Sequence, residues 1–515
     1  MPTTDAKHFT FAVLLALCAC TQESPGVCRN EPPGFLVRNV QIVDGSGAPA
    51  VAGSVRVNDG LIANLGDLEP CEGETVIDGG GQFLAPGFID THSHADKDIF
   101  EHPEALPVVS QGITTIVVGQ DGRSPYPLND FFSKLETAPA AVNIASYVGH
   151  NTLRHRGLGN AYQRAASDDE IDSMKAMLAS ELESGALGLS TGLEYDPGIY
   201  SDTSEVLALA RVAADAGGRY ISHIRSEDRW LEEAIEEIIL IGRETGMPVQ
   251  ISHLKLAMKR LWGSAPRIIE RLDAARAEGI DITADIYPYE YWQSTIMVLL
   301  PDRDPSDREA IAEVLDQLAP PEGIWLTRYP SNPEYVGKTL TEIAAILEVD
   351  AITAFSQIAA ESERARLETG DRSAATIIGT SMQAADIREL IAWPEANICT
   401  DGGIVSLHPR SAGSFPRVLS RYVRDQNVLT LEEAVRKMTS LAAEHMGFTD
   451  RGRIRQGAVA DLVLFDPDTV IDHATPLAPT LLSEGITTVW VGGEIVFSGG
   501  AVTNKRPGRV IRRLM

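Results

Sequence analysis

Two histidines spaced two residues apart follow one of the apolar segments of the chain. His92 and His94 lie in GFIDTHSHAD, which begins as an apolar run. In a β-strand, residues i and i+2 point to the same face, so both imidazoles are expected to face the same way. A pair of neutral imidazoles suits a divalent transition metal. Two exposed loop histidines are the alternative, but the apolar run before them and the acidic residues beside them favour a metal site.

Two further histidines and one aspartate repeat this arrangement. His223 ends the apolar part of YISHIRSE, His253 ends that of VQISHLK, and Asp401 ends that of NICTDGG. Either histidine alone is more often a hydrogen-bonded core residue than a ligand. Together with His92 and His94, however, they place four of the 11 histidines at predicted strand ends. A carboxylate such as Asp401 can bind a metal and can also take a proton from metal-bound water.

The scaffold must bring these strand ends together. Apolar segments alternate with helix-patterned stretches such as DDEIDSMKAMLASELESG and WLEEAIEEIILIGRETG. The apolar segments are QFLAPGFIDTHSH, ITTIVVGQDG, NIASYVGHN, GALGLSTG, RYISHIRSE, PVQISHLK, DITADIYPY and NICTDGG. This count predicts an α/β fold with a (β/α)₈ TIM barrel over residues 83–450, whose C-terminal strand ends form the mouth of a site. A doubly wound open sheet is the structural alternative.

The flanks of the barrel differ from its middle. Both chain ends contain short strand-like runs closed by turn residues, so residues 35–82 and 451–515 are expected to form one small β-sandwich domain. The interval between the seventh and eighth segments is too long for one helix. It predicts an inserted helical subdomain at about 290–390.

The N-terminus resembles an export signal. Its apolar run FTFAVLLALCA is too short to span a bilayer. Leu17, Ala19 and Cys20 resemble a bacterial lipobox, in which the cysteine is acylated. Residues 1–20 are therefore predicted to be a lipoprotein signal peptide and residues 21–34 a tether. The protein is expected to be exported, either periplasmic or anchored to the outer membrane. An ordinary signal peptide with incidental cysteines is the alternative.

Charge and cysteine content narrow the range of partners. With 44 Lys+Arg against 72 Asp+Glu, the net charge of −28 repels nucleic acid and anionic lipid. No nucleic-acid partner is expected, and membrane contact is expected only through a lipid on Cys20. Cys28 and Cys71 could pair in an oxidising compartment. The oligomeric state does not follow from the sequence.

The motifs PGFIDTHSH, SHI, SHLK and TDGG, in this order, resemble those of the amidohydrolase superfamily. More specifically, GALGLSTGLEYDPGIY, ISHLK, DIYPY and HPRSAGSFPRVL resemble the N-acyl-D-amino-acid deacylases, or D-aminoacylases. The similarity extends over about residues 35–500. It implies hydrolysis of the amide bond of a small N-acyl-D-amino acid, with one or two Zn²⁺ ions as cofactor.

The resemblance also implies roles for individual residues. The positions that match the family's metal site are His92, His94, His223, His253 and Asp401, and Asp401 also matches its catalytic acid/base. The positions that match its substrate pocket are Tyr195, Lys255, Tyr287 and Arg410. The planar guanidinium of Arg410 suits an α-carboxylate. Lys255 could reach the same carboxylate or the scissile carbonyl, or it could be a solvated lysine at a strand exit.

One position departs from the family pattern. Well-characterised deacylases carry GNCG, with a cysteine thiolate as zinc ligand, where this chain has GQDG. Asp121 stands in the place of the cysteine. A carboxylate is also a zinc ligand, at about 2.0–2.2 Å, and it can bridge two ions. We expect Asp121 to bind metal, with the number and identity of the ions open. The alternative is that Asp121 only turns the chain.

Two other functions are compatible with parts of this pattern. A related cyclic amidase or dipeptidase, such as a dihydropyrimidinase-like protein, would often use a carboxylated lysine from the fourth strand, but neither GALGLSTG nor NIASYVGHN contains a lysine. A non-catalytic binding lipoprotein would be favoured if Asp401 or the histidines were missing, and none is. The side-chain preference, the acyl-chain preference and the strictness for D over L do not follow from the sequence.

Overall fold

All eight apolar segments form strands of a parallel barrel in the computed structural model, which describes residues 34–371 and 373–513. The barrel strands, in chain order, are Phe88–Asp90, Ile113–Val118, Asn143–Ser146 continued by Val148–Gly149, Gly188–Gly192, Arg219–His223, Val249–Ile251, Ile282–Ile286 and Ala396–Ile398. Neighbouring strands pair in parallel. A parallel bridge between Ser93 and Gly402 joins the first strand to the eighth and closes the ring. The predicted TIM barrel is confirmed.

Helices surround the barrel, and their ends follow from local sequence. Asp168–Glu183 starts with a capping box, in which the Ser167 hydroxyl accepts from the Glu170 backbone N–H. Leu231–Thr245 stops at Gly246, whose φ of 67° suits glycine. The α-helices in the described part of the chain are Leu106–Val109, Leu128–Thr137, His150–Leu158, Asp168–Glu183, Thr203–Asp215, Leu231–Thr245, Ala265–Ala277, Arg308–Glu313, Leu340–Leu347, Ala351–Thr369, Ala384–Ala392, Arg410–Arg417, Leu431–Met438 and Ser440–Met446.

Both chain ends contribute to a second sheet beside the barrel. Its strands are Phe35–Ile42, Val51–Asn58, Leu61–Gly66, Thr75–Asp78, Phe83–Pro86, Leu462–Phe465, Ile486–Val491, Glu494–Ser498 and Ala501–Val502. Hydrogen bonds connect all nine strands into one sheet. The strand Phe83–Pro86 joins its two halves, because it pairs with Phe35–Ile42 on one side and Leu462–Phe465 on the other. The sheet therefore extends beyond the predicted boundary at residue 82.

The insertion between the seventh and eighth barrel strands is not purely helical. The strands Tyr291–Thr295, Ile324–Arg328 and Thr376–Thr380 form an antiparallel sheet, which the predicted helical subdomain does not include. Helices Leu340–Leu347 and Ala351–Thr369 pack on this sheet and form a separate apolar core with it. The helix Ala384–Ala392 that follows belongs to the ring around the barrel, since it packs on Ala265–Ala277 and on the eighth strand.

The predicted signal peptide and nearly all of the predicted tether lie outside the described residues. So do Cys20, the predicted lipidation site, and Cys28, which the sequence offers as a possible partner of Cys71. Among the residues that are described, no single helix is long and apolar enough to cross a membrane. The bent pair Leu340–Leu347 and Ala351–Thr369 meets that length and composition test only when both helices are taken together.

A buried ionic cluster holds the third strand exit against a neighbouring helix. Glu205 accepts from Nε2 of His150 at 2.8 Å and forms an ion pair with Arg154. All three side chains are almost completely buried. His150 is therefore held by a structural hydrogen bond and does not belong to the candidate site.

We expect Glu205→Ala to lower the free energy of unfolding by about 3–5 kcal/mol, because it leaves the charge of Arg154 buried without a counter-ion. Urea unfolding of the full chain measures this loss. Glu244→Ala is the matched control, since Glu244 pairs with Arg211 at 3.1 Å on the surface and its removal should cost about 0–1 kcal/mol. Equal losses in the two variants would contradict the prediction.

Candidate metal centre and substrate cavity

The ends of the first, second and eighth barrel strands bring together a first group of candidate metal ligands. Nε2 of His94 lies 3.1 Å from Oδ1 of Asp401 and 3.3 Å from Oδ2 of Asp121. Nε2 of His92 lies 3.4 Å from Oδ1 of Asp121 and 3.6 Å from Oδ1 of Asp401. The backbone N–H of Asp401 donates to the carbonyl of His92 at 2.9 Å, which fixes the two strand ends relative to one another. These four side chains could therefore hold one ion.

A second group, at the ends of the fifth and sixth strands, shares one member with the first. Nδ1 of His223 lies 3.1 Å from Nε2 of His253, which in turn lies 3.3 Å from Oδ1 of Asp121. Asp121 belongs to both groups. Its Oδ1 lies within 3.4 Å of both His92 and His253, and its Oδ2 lies 3.3 Å from His94, so this one carboxylate faces both groups.

The polar atoms in these groups fit a metal. Nε2 of His92 and Oδ1 of Asp121 are buried and have no hydrogen-bond partner. Leaving a buried polar atom without a partner is costly, and bonds to a cation would satisfy these atoms. Imidazole nitrogens and carboxylate oxygens are both zinc ligands. The donors therefore suit one or two Zn²⁺ ions.

Three candidate ligands adopt an uncommon backbone conformation. The φ angles of Asp121, His253 and Asp401 are 53°, 36° and 49°, in the left-handed region. Non-glycine residues held there store strain, which is concentrated at functional sites. Asp121 therefore turns the chain and also points its carboxylate at both histidine groups, so the two interpretations of GQDG are compatible.

The surrounding charges keep both aspartates ionised. Burial raises the pKa of Asp401, but Arg410, whose Nη1 lies 2.5 Å from Oδ2, and His253 outweigh burial and lower that pKa. Burial also raises the pKa of Asp121, whereas His92 and His253 hold it well below the usual range. Deprotonated carboxylates are the form in which aspartate binds metal.

Two buried carboxylates hold the strand ends that carry the histidines in place. Asp90 accepts from the backbone N–H and the hydroxyl of Thr400, at 2.9 and 2.5 Å, and so ties the first strand to the eighth; burial raises the pKa of Asp90 to about 7. Asp285 accepts from the backbone N–H of His253 at 2.6 Å, and its Oδ1 lies 3.7 Å from Nδ1 of His92. Such partners orient ligating histidines.

Two glutamates that are not among the residues predicted for the site lie behind the second group. Oε2 of Glu194 is 3.0 Å from Nε2 of His223, and Oε1 of Glu227 is 2.9 Å from Nδ1 of His253. Each glutamate lies in a loop just after a barrel strand. Position alone could have drawn attention to them, but it does not separate them from other loop acids in a chain with 72 Asp+Glu.

Lys255 and Tyr195, both predicted pocket residues, lie against the second group. Nζ of Lys255 donates to Oε1 of Glu227 at 2.5 Å and lies 2.7 Å from Nδ1 of His253. Lys255 is only 5% exposed, which excludes the solvated alternative. The ring of Tyr195 packs on the imidazole of His223, with centroids 4.2 Å apart.

Tyr287 and Arg410 lie together next to the centre. The guanidinium of Arg410 is 4.8 Å from the ring centroid of Tyr287, a cation–π distance. The hydroxyl of Tyr287 and Nε of Arg410 are buried and have no hydrogen-bond partner. Both can therefore donate to a bound anion or carbonyl. All four predicted substrate residues thus border the candidate metal centre.

A cavity of about 460 Å³ leads from this centre to solvent. His94, Asp121, Asp401 and Arg410 line its inner end. The insertion forms much of the outer wall, which includes Gln293, Met297, Val298, Arg303, Arg328 and Arg366. This volume is in the range of small-molecule sites.

Comparison with known proteins links this geometry to a family. The model of the amidohydrolase family matches residues 75–321 and 358–497. An N-acyl-D-glutamate deacylase of Alcaligenes xylosoxydans xylosoxydans is 38% identical, over 93% of this chain and 96% of its own. A D-aminoacylase of the same organism is 33% identical, over 94% of this chain and 98% of its own.

Solved structures show the same similarity. The N-acyl-D-glutamate deacylase of Bordetella bronchiseptica, complexed with zinc and a phosphonate mimic of the tetrahedral intermediate, aligns with a TM-score of 0.83 and 36% identity, covering 94% of this chain and 100% of its own. A D-aminoacylase with a binuclear metal centre aligns with a TM-score of 0.82 and 32% identity, with the same coverage.

Proposed function

The chain belongs to the N-acyl-D-amino-acid deacylases of the amidohydrolase family, and from this membership we propose that it hydrolyses N-acyl-D-amino acids to a carboxylate and a free D-amino acid. The observation that carries the proposal is the convergence of four histidines and two aspartates beside Arg410 at the mouth of the barrel. This arrangement combines metal ligands, a proton acceptor and a carboxylate receptor in one cavity.

Zinc is the proposed cofactor. His92, His94, Asp121 and Asp401 would hold one ion, and Asp121, His223 and His253 a second. When bound, zinc polarises a carbonyl group and lowers the pKa of water.

Asp401 is the proposed acid/base. Its carboxylate faces the cavity and accepts the proton of the water that adds to the acyl carbon. The C–N bond then breaks, and Asp401 returns the proton to the departing amine nitrogen. The acyl group leaves as a carboxylate and the other product is the amino acid, so the reaction consumes one water.

Arg410, Lys255 and Tyr287 are proposed to bind the substrate's carboxylate and carbonyl. Arg410 supplies a planar pair of N–H donors, which can bind a carboxylate through two parallel hydrogen bonds. Lys255 and the Tyr287 hydroxyl lie on the same side of the centre and can supply further donors.

We expect Arg410→Lys to raise KM about 10- to 100-fold, because it keeps the charge but loses the bidentate geometry, and a hydrogen bond to a charged group contributes about 1.5–3 kcal/mol. The native protein should discriminate strongly between an N-acyl-D-amino acid and its C-terminal amide, and the variant should discriminate less. Arg421→Lys, which alters a pair with Glu290 at 2.8 Å, is the control. If Arg410→Lys discriminated as well as the native protein, Arg410 would not be the carboxylate receptor.

The central experiment compares purified protein of measured zinc content on matched N-acetyl-D- and N-acetyl-L-amino acids with acidic, apolar and small side chains. Release of free amine from the D series should exceed release from the L series at every side chain. Preference for the L series, or hydrolysis of dihydropyrimidines instead, would overturn the proposed function.

Export is a further part of the proposal. The apolar run and the LCAC sequence support cleavage before Cys20 and acylation of that residue. The native chain should incorporate a labelled fatty acid in a bacterial host and Cys20→Ala should not. Equal labelling of the two would exclude the lipid anchor.

A further inference from the structure

In each histidine of the second group, the ring nitrogen that points away from Asp121 faces a carboxylate. Nε2 of His223 lies 3.0 Å from Glu194, and Nδ1 of His253 lies 2.9 Å from Glu227. The side chains of His223, His253 and Glu227 are 3%, 2% and 10% exposed, and that of Glu194 is 18% exposed. Water therefore competes little for these contacts.

An ionised carboxylate only accepts hydrogen bonds, so the ring nitrogen that faces it carries the proton. A neutral imidazole has one N–H, and its other nitrogen then presents a lone pair. In His223 that nitrogen is Nδ1 and in His253 it is Nε2. These are the two atoms that lie 3.1 Å apart and converge with Asp121.

We propose that Glu194 and Glu227 are positioning residues that fix His223 and His253 in the tautomers able to bind zinc. This inference rests on the proposed function only in taking zinc as the ion. The two glutamates act through the histidines, as carboxylates behind ligating histidines do in zinc sites.

Unlike Glu194, Glu227 also binds the ammonium group of Lys255. The ammonium of Lys255 lies 2.5 Å from Oε1 of Glu227 and 2.7 Å from Nδ1 of His253. If the carboxylate is lost, Lys255 can donate to Nδ1 instead, which moves the ring proton to Nε2, the nitrogen that zinc needs. Glu227 therefore both fixes the tautomer of His253 and keeps Lys255 from reversing it.

Zinc affinity, measured by competition with a chromophoric chelator, tests the proposal without any substrate. Glu194→Gln and Glu227→Gln should each weaken zinc binding about 10- to 100-fold, with the larger loss for Glu227→Gln. Adding Lys255→Met to Glu227→Gln should restore part of the affinity, since the competing donor is gone. Glu181→Gln is the matched control, because Glu181 is buried but accepts from the backbone of Leu128, away from the cavity. Zinc affinities within twofold of native in both single variants would overturn the proposal.

The tautomers can also be observed in the native chain. Nitrogen-15 spectra of histidine-labelled protein loaded with zinc should show the proton on Nε2 of His223 and on Nδ1 of His253, with the signals identified by their loss in single histidine variants. This measurement needs neither a foldable glutamate variant nor deacylase activity, so it separates failure of the inference from failure of the proposed function. The opposite tautomers would refute the inference.

Discussion

Asp401→Asn should lower kcat for an N-acyl-D-amino acid by about 10²- to 10⁴-fold while KM changes little. Asparagine keeps the size of the side chain and one acceptor oxygen, but it cannot take up and return a proton, and general acid–base catalysis contributes rates of this order. Because Asp401 is also a candidate ligand in the first group, zinc content must be measured on the same preparation. Steady-state kinetics at matched zinc content then isolate the proton-transfer role.

A matched control for this substitution is Asp202→Asn. Asp202 caps the helix Thr203–Asp215 by accepting from the backbone N–H of Glu205, and asparagine caps helices about equally well. The kcat and KM of Asp202→Asn should equal those of the native protein. Turnover of Asp401→Asn near the native value would remove Asp401 from the mechanism.

Asp121→Asn should reduce the bound zinc by at least one equivalent and reduce activity with it. Asparagine tolerates the left-handed φ of 53° at this position, so the turn is kept while the negative charge shared by both histidine groups is lost. Elemental analysis after dialysis measures the bound zinc, a kinetic assay on the same sample measures the activity, and the thermal transition shows whether the fold is kept. Full zinc content in this variant would mean that Asp121 serves only the turn.

Asp121→Cys is the complementary variant. A thiolate is a strong zinc ligand, and this change gives the GNCG-like cysteine of the related deacylases. We expect it to retain zinc after dialysis that strips Asp121→Asn. Loss of zinc from both variants to the same extent would show that the thiolate cannot replace this carboxylate here.

The barrel was predictable because its strands are buried on both faces and therefore appear as short apolar runs. Ile113–Val118, for example, is buried along its whole length. The ligands were predictable for the same reason, since His223 is a polar residue at the end of such a run. Parallel strands in a barrel bring their C-terminal ends to one face. Polar residues at the predicted strand ends are therefore expected to lie near one another.

The insertion illustrates where such patterns fail. Every residue of Tyr291–Thr295 is half-buried, so this strand shows no alternation of apolar and polar positions. Glu194 and Glu227 were missed for a different reason. Each glutamate matters because of the particular ring nitrogen that it faces in His223 or His253. The sequence does not show which nitrogen that is.

The carboxylate in GQDG also changes how the centre would respond to oxidants. A ligating thiolate can be oxidised to sulfenic and then to irreversible sulfinic and sulfonic acids, whereas a carboxylate has no such chemistry. Within the described part of the chain, the free cysteine is Cys399, which is fully buried, and burial raises the pKa of its thiol well above the usual range. Peroxide or a thiol reagent would thus find no reactive sulfur among the candidate ligands, and a deacylase built this way can keep its metal where a GNCG enzyme would lose a ligand.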